Sequence, residues 1–195
     1  MSIGLCQRPT TERPVFAEFV SFPVFLGRLL RFAVYNVCMP DIVVRAAEAE
    51  DAEALVQLIN LAFRAERPFV EGNRLDLAEV RAHMAKGPFL VLVDGETIVG
   101  CVHAEAHRDR GHIGLLSVEP GRQKTGVGKQ LMTAAEEHLR NGGCKSADLR
   151  FINHRAELLR FYSQLGYIES GTAAFPHTSR MKMPFHFVEM TKTLA

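Results

Sequence analysis

At 195 residues, with 47% hydrophobic and 23% charged side chains, the chain has the composition of an ordinary soluble protein. The length suits one domain plus an additional segment rather than two full domains, and the composition excludes intrinsic disorder. Lys+Arg 23 against Asp+Glu 22 gives a net charge of +1, so bulk electrostatics mark neither a nucleic-acid protein nor a membrane-surface protein, and a charged ligand must be met locally.

Cys6, Cys38, Cys101 and Cys144 lie far apart and form no CxxC pair, which points to a reducing, cytoplasmic setting. Glu18, Pro23, Arg28 and Arg31 interrupt the most apolar stretch, so no membrane span is expected.

The first 38 residues differ in texture from the rest: Val15 to Val37 is crowded with apolar and aromatic residues but broken by Pro23 and Gly27. Three readings stay open: a targeting leader, an extension upstream of a domain that starts at Met39, or an accessory helix packed through Leu26, Leu29, Leu30 and Ala33. From Ile42 the punctuation is regular. Ile42 to Val44 reads as a strand, and Asp51 opens a helix carrying Leu55, Leu58, Ile59, Ala62 and Phe63. A second helix with Leu77, Val80 and Met84 stops at Gly87-Pro88. Phe89 to Val93, Thr97 to His107 and His112 to Val118 read as an antiparallel meander, with Asp94-Gly95 as its first hairpin turn.

A helix follows from Gly126 to Gly142-Gly143, then a strand through Ala147, Leu149 and Phe151, then a helix with Leu158, Phe161 and Leu165. Strands at Tyr167 to Glu169 and Phe185 to Thr191 finish an order of βααββββαβαββ or close to it.

The segment Val118-Glu119-Pro120-Gly121-Arg122-Gln123-Lys124-Thr125-Gly126-Val127-Gly128-Lys129 runs from a strand straight into a helix start. Such a junction attracts anions, because unpaired N–H groups and the positive end of the helix dipole converge there and glycines admit close approach. Arg122, Lys124 and Lys129 add cations. A P-loop fails, since Val127 stands where the lysine belongs and Gly128 where the hydroxyl belongs. A dinucleotide fingerprint fails too, since Leu131 replaces the third glycine and the preceding strands form hairpins.

The pattern Q/R-x-x-G-x-G/A is met by Gln123-Lys124-Thr125-Gly126-Val127-Gly128, and downstream lie Asn153-His154-Arg155-Ala156 and Phe161-Tyr162-Ser163-Gln164-Leu165-Gly166-Tyr167. With these motifs the sequence resembles the GNAT superfamily of acyl-CoA-dependent N-acetyltransferases from about Ile42 to the C-terminus. The resemblance implies an α/β fold with a mixed, largely antiparallel central sheet, helices on both faces and a splayed parallel strand pair. It makes residues 39–195 the acetyltransferase domain and residues 1–38 an extension of unknown role.

It further implies that acetyl-CoA is the co-substrate, with its pyrophosphate on the backbone of Gln123, Lys124, Thr125, Gly126, Val127, Gly128 and Lys129. The pantetheine arm would lie along Leu116, Ser117 and Val118, with the Val118 N–H aimed at the thioester carbonyl and Asn153 bonded to the arm.

Direct transfer of the acetyl group to a primary amine needs one proton removed from the ammonium and one delivered to the thiolate. By the resemblance Tyr162 delivers the second, its phenol being protonated at neutral pH; by residue type alone it reads as an amphipathic aromatic at the core edge. For the base, His112 occupies the start of the strand leading to the loop, on the same face as Gly114, Leu116 and Val118, and titrates near neutrality. Glu105 on the neighbouring strand is the second candidate, and a strand-end histidine without catalytic role is the plain alternative for His112.

No metal is expected. His103 and His107 stand four apart on a strand, about 13 Å from each other and too far to share an ion. The acceptor side is assigned to Arg64 to Arg74 and Gly171 to Pro184, whose mixture of Arg67, Phe69, Glu71, Arg74, His177, Arg180 and Lys182 shows neither a strongly acidic nor a basic pocket. The substrate is an amine of a small molecule, peptide or protein; a homodimer through the late strands is open. A non-catalytic acyl-CoA-binding sensor of the same fold is the competing function, and a nucleotide-binding module the third.

Overall fold

In the computed structural model, which describes residues 42–194, one seven-stranded sheet runs in the order β1-β2-β3-β4-β5-β7-β6. Its strands are β1 Ile42–Ala46, β2 Phe89–Asp94, β3 Thr97–His107, β4 Arg110–Val118, β5 Ser146–Ile152, β6 Ile168–Ala174 and β7 His186–Thr193. Four helices connect them: α1 Ala52–Ala62, α2 Leu77–Met84, α3 Val127–Asn141 and α4 Ala156–Gln164. Three strands, not four, separate α2 from α3, and β6 runs well beyond Glu169. The segment of residues 1–38, with Leu26, Leu29, Leu30, Ala33, Cys6 and Cys38, lies outside the described residues.

All neighbouring strands pair antiparallel except β4 and β5. That parallel pairing is short: Arg110, Gly111 and His112 face Ser146, Ala147 and Asp148, and there it stops. Beyond His112, β4 continues against β3 while β5 continues against β7, so the sheet opens as a wedge between them.

Apolar side chains bury both faces. Against one face α3 and α4 place Val127, Leu131, Met132, Ala135, Leu139 and Tyr162, meeting Leu90, Leu92, Val102, Ala104, Ile113, Leu149 and Phe151. Against the other face, α1 and α2 place Leu55, Leu58, Ile59 and Val80 on Phe89, Val91, Val93 and Cys101. Alternation along the strands sends neighbours to opposite cores, which is why β2 reads as a continuous apolar run.

Gly100 and Gly111 admit close approach of α3 to the sheet, since a Cβ at Gly100 would lie 2.8 Å from both Leu131 and Val127 and one at Gly111 would run into Leu139. Glu136 on α3 is buried within this core and receives the Lys192 ammonium of β7 at 2.6 Å. Cys144 is buried in the same core as a small apolar residue, and Cys101 in the other. Helix α2 begins with a reciprocal capping box, Asp76 accepting from the Glu79 N–H and Glu79 from the Asp76 N–H, both at 2.8 Å.

His103 sits on β3, buried, and its Nε2–H donates to the His83 carbonyl oxygen at 2.9 Å, with the two rings edge to face at 4.9 Å. Burial pushes both imidazoles below the usual histidine value, and each one's proximity to other cations adds to this. The unfolded chain therefore takes up protons first as pH falls below about 6.5, and stability drops with it. The unfolding temperature should fall between pH 7.5 and 5.5, and a thermal melt of His103→Gln should show a smaller fall across that interval.

Candidate active site

The geometry of the wedge is set by a bulge in β4. Cys101 pairs with Ser117 and His103 with Gly114, so one extra residue of β4 is accommodated between them. Leu115 takes that position with φ of 54°, in the left-handed region that a leucine enters at a cost of about 1–2 kcal/mol. The Ser117 hydroxyl donates to the Leu115 carbonyl oxygen at 3.0 Å and holds the irregularity closed.

The bulge reverses the alternation, and this corrects the expected grouping of side chains. His112 and Gly114 share the α1–α2 face, as do Leu115 and Ser117, whereas Leu116 and Val118 pack toward α3 and α4. Ser117 is buried opposite Cys101, so its side chain serves the bulge and not a ligand in the wedge.

The ladder phase decides which backbone groups remain available. The Glu119 N–H donates to the Val99 carbonyl at 2.9 Å, which makes Val118 and Gly100 a non-hydrogen-bonded pair and turns the Val118 N–H and C=O away from β3, into the wedge. The Val118 carbonyl accepts from the Gln123 side-chain amide at 3.3 Å.

The loop then curls into α3. Pro120 to Arg122 form a 3₁₀ turn, Lys124 takes φ of 64°, and Gly126, with φ of 96°, is the N-cap of α3. The helix bonding starts with the Gln130 N–H on the Gly126 carbonyl at 3.0 Å. No side chain caps this end, so the N–H groups of Val127, Gly128 and Lys129 are left for an external acceptor. Gly128 lies in van der Waals contact distance of Val118 and of Phe161, with a Cβ placed 3.5 Å from the Phe161 ring. Thr125 donates to the Arg122 carbonyl at 2.6 Å. Arg122 is paired with Asp94, so of the three loop cations only Lys124 and Lys129 are exposed and without an ion pair among the described residues. This donor set fits a pyrophosphate: an uncapped helix N-terminus beside an unpaired strand edge, with a glycine where the backbone turns left-handed.

Tyr162 projects from α4 into the core beside Phe151, Phe161 and Tyr167, with ring centroids 5.7, 5.1 and 6.1 Å away. Burial holds its phenol far above the ordinary value; the Arg155 cation opposes that shift and the Glu66 carboxylate adds to it. Asn153 follows β5 and is largely committed to β7: its Oδ1 accepts from the His186 N–H at 3.1 Å, and its own N–H donates to the His186 carbonyl at 3.0 Å. Only its Nδ2 is left to meet a ligand.

On the other face, Glu105 and His112 are direct cross-strand partners. Glu105 also meets His107 Nε2 at 3.0 Å. Burial, with the Arg150 cation next, lowers the pKa of His112, so its imidazole is neutral at pH 7 and able to accept a proton.

The connection after α1 and the loop after β6 meet as expected and enclose a cavity of about 90 Å³. Backbone bonds stitch them together: the Glu71 N–H donates to the Arg180 carbonyl at 2.9 Å, the Lys182 N–H to the Phe69 carbonyl at 2.9 Å, and Val70 bridges Met181. Glu66 lines this cavity with its side chain 14% exposed, and Arg155 approaches it at 3.8 Å. Burial raises its carboxyl above the usual range, against the pull of Arg74 and Arg155. Sequence reading missed Glu66, because only the folded chain brings it beside Arg155 and within electrostatic reach of Tyr162. The mixed-charge expectation for this pocket also changes, since Arg67, Arg74 and Arg180 all reach the same cavity as this single carboxylate.

The family model of the GNAT acetyltransferases matches residues 52–167, which include the bulged strand, the loop, α3 and α4. The chain belongs to the GNAT acetyltransferase family. A mycothiol acetyltransferase from Actinosynnema mirum is 26% identical over 120 residues, 60% of this chain and 40% of that protein's length. Among solved structures, the ribosomal-protein-S18-alanine N-acetyltransferase of Escherichia coli superposes with a TM-score of 0.64 at 15% identity, covering 79% of this chain and 94% of that one. The yncA protein of Salmonella typhimurium, solved with its cofactor acetyl-CoA, gives 0.66 at 17% identity with the same coverage. These likenesses establish the shared fold. Among the described residues no helix is long and apolar enough to cross a membrane, and no cluster of metal-ligating side chains is present.

Gly126→Ala should test the loop. The open space around Gly126 admits a methyl group but its φ does not, so the substitution strains the α3 N-terminus and should weaken acetyl-CoA binding at least about fivefold by calorimetry.

Proposed function

We propose that the domain of residues 39–195 transfers an acetyl group from acetyl-CoA directly to a primary amine. The observation that carries this reading is the wedge itself, with an uncapped helix N-terminus and Tyr162 on one face of the sheet and a closed-rimmed cavity on the other. A thioester laid through the wedge faces the amine from the cavity side.

In this reading the Val118 N–H donates to the thioester oxygen as negative charge develops there. The amine nitrogen forms the new C–N bond as the C–S bond breaks, and the Tyr162 hydroxyl shares its proton with the departing sulfur. Its raised pKa keeps that proton in place at any assay pH. His112, neutral and on the cavity face, takes the proton lost by the ammonium, directly or through water, with Glu105 as its cross-strand partner. The phosphates sit on the N–H groups from Gln123 to Lys129.

A thermal-shift titration tests the first half: acetyl-CoA and CoA should each raise the unfolding temperature and ATP should not. Absence of a shift with either CoA species would remove the basis of the reading. Tyr162→Phe should keep that shift and lose on the order of 10²-fold in kcat, the usual contribution of a general acid. Retained binding with no turnover of any amine by the unaltered protein would favour a sensor instead. The rate should fall on the acid side with a pKa below 6.5, as the imidazole is protonated, and His112→Gln should remove that limb.

A further inference from the structure

The cavity on the α1–α2 face carries more positive charge than its own walls neutralise. Its one lining carboxylate, Glu66, meets Arg155 at 3.8 Å and is also acted on by the charge of Arg74. Arg67, Arg74 and Arg180 line the same cavity, and none of them has a carboxylate within salt-bridge distance among the described residues.

Arg180 is held in place by neutral acceptors: its guanidinium donates to the Glu71 carbonyl at 2.8 and 2.9 Å and to the Asn73 carbonyl at 2.6 Å, which fixes the group and leaves its charge. Arg74 is fixed through its backbone. Its N–H donates to Asn60 Oδ1 at 2.7 Å, Asn60 Nδ2 donates to the Leu75 carbonyl at 2.8 Å, and its guanidinium rests 5.0 Å above the Phe63 ring. Arg150 adds a further cation over the Phe187 ring, which itself lines the cavity. Burial lowers the pKa of Arg74, the Glu66 carboxylate opposes that shift, and the charges of Arg150 and Arg180 add to it.

Like charges held together by neutral supports repel one another, and an anion entering between them relieves the repulsion. Planar guanidiniums grip a carboxylate or phosphate through paired N–H donors. We propose that the acceptor is a small amine that also carries an anionic group, a carboxylate or a phosphate, held by Arg74 and Arg180 while its ammonium lies toward Glu66. This rests on the acetyl-transfer reading and names the substrate class of the same site. A polyamine meets repulsion here, and a neutral amine leaves the arginines unpaired.

The experiment measures thiol release from acetyl-CoA with matched amines: amino acids against their carboxamides, and O-phosphoethanolamine against ethanolamine. The anionic member of at least one pair should be preferred tenfold or more in kcat/KM, and which pair responds separates carboxylate from phosphate. Arg74→Gln should lower kcat/KM for the anionic member at least tenfold more than for the neutral member, mainly through KM, and Arg74→Lys should restore part of the preference. Retention of the acetyl-CoA thermal shift shows that each variant is folded.

Neutral amines acetylated as well as or better than anionic ones, or equal losses for both members in Arg74→Gln, would overturn the proposal and leave acetyl transfer standing. An acetyl-CoA shift without thiol release from any anionic amine would overturn it as well. Absence of both the shift and any thiol release would instead overturn the acetyl-transfer reading beneath it.

Discussion

The parting of β4 from β5 after His112 is the constraint on which the site depends. Each strand keeps a partner on its far side, β3 for one and β7 for the other, so the wedge opens without breaking the sheet into two. A continued ladder with β5 would occupy the Val118 N–H and C=O. Here they face a gap, and the helix N-terminus of α3 arrives at its mouth because the loop after Val118 turns left-handed at Lys124 and Gly126. An open strand edge and an uncapped helix start are thus supplied by one stretch of backbone.

The bulge at Leu115 distributes the chemistry between faces. By adding one residue to β4 it lets His112 and Gly114 take the α1–α2 face while Leu116 and Val118 look toward α3 and α4. The two faces of the sheet thus share a strand but present different side chains. A left-handed leucine is unfavourable, and the buried Ser117 hydroxyl on its carbonyl is the local interaction that offsets part of that cost.

Charge is organised just as locally. A chain with a net charge of +1 nevertheless gathers several arginines about one cavity and exposes two lysines at the α3 loop. The pairing of Arg122 with Asp94 and of Glu66 with Arg155 determines which charges remain available to a ligand.

Much of the fold was legible in the sequence, since period and punctuation are local properties. The apolar spacing of Leu131, Ala135 and Leu139, the stop at Gly142, the β-branched and aromatic runs of β2 and β5, and the Gln123 to Gly128 pattern all report on residues close in the chain. The family followed from those same short patterns. What could not be read depends on register and on distant partners. A bulge leaves no mark in an alternating strand, so the faces of Leu116, Ser117 and Val118 were settled only by pairing with β3. Glu66 and Arg155, or Arg180 and the carbonyl of Glu71, meet across about half the chain or more, and the charge of the cavity exists only once those segments close. The sequence by itself determined the elements and the glycine loop that opens α3, because backbone propensity and hydrophobic period act over a few residues. Tertiary structure alone decided the faces of β4 and the electrostatics of the cavity, because both arise from contacts between residues that the chain holds far apart.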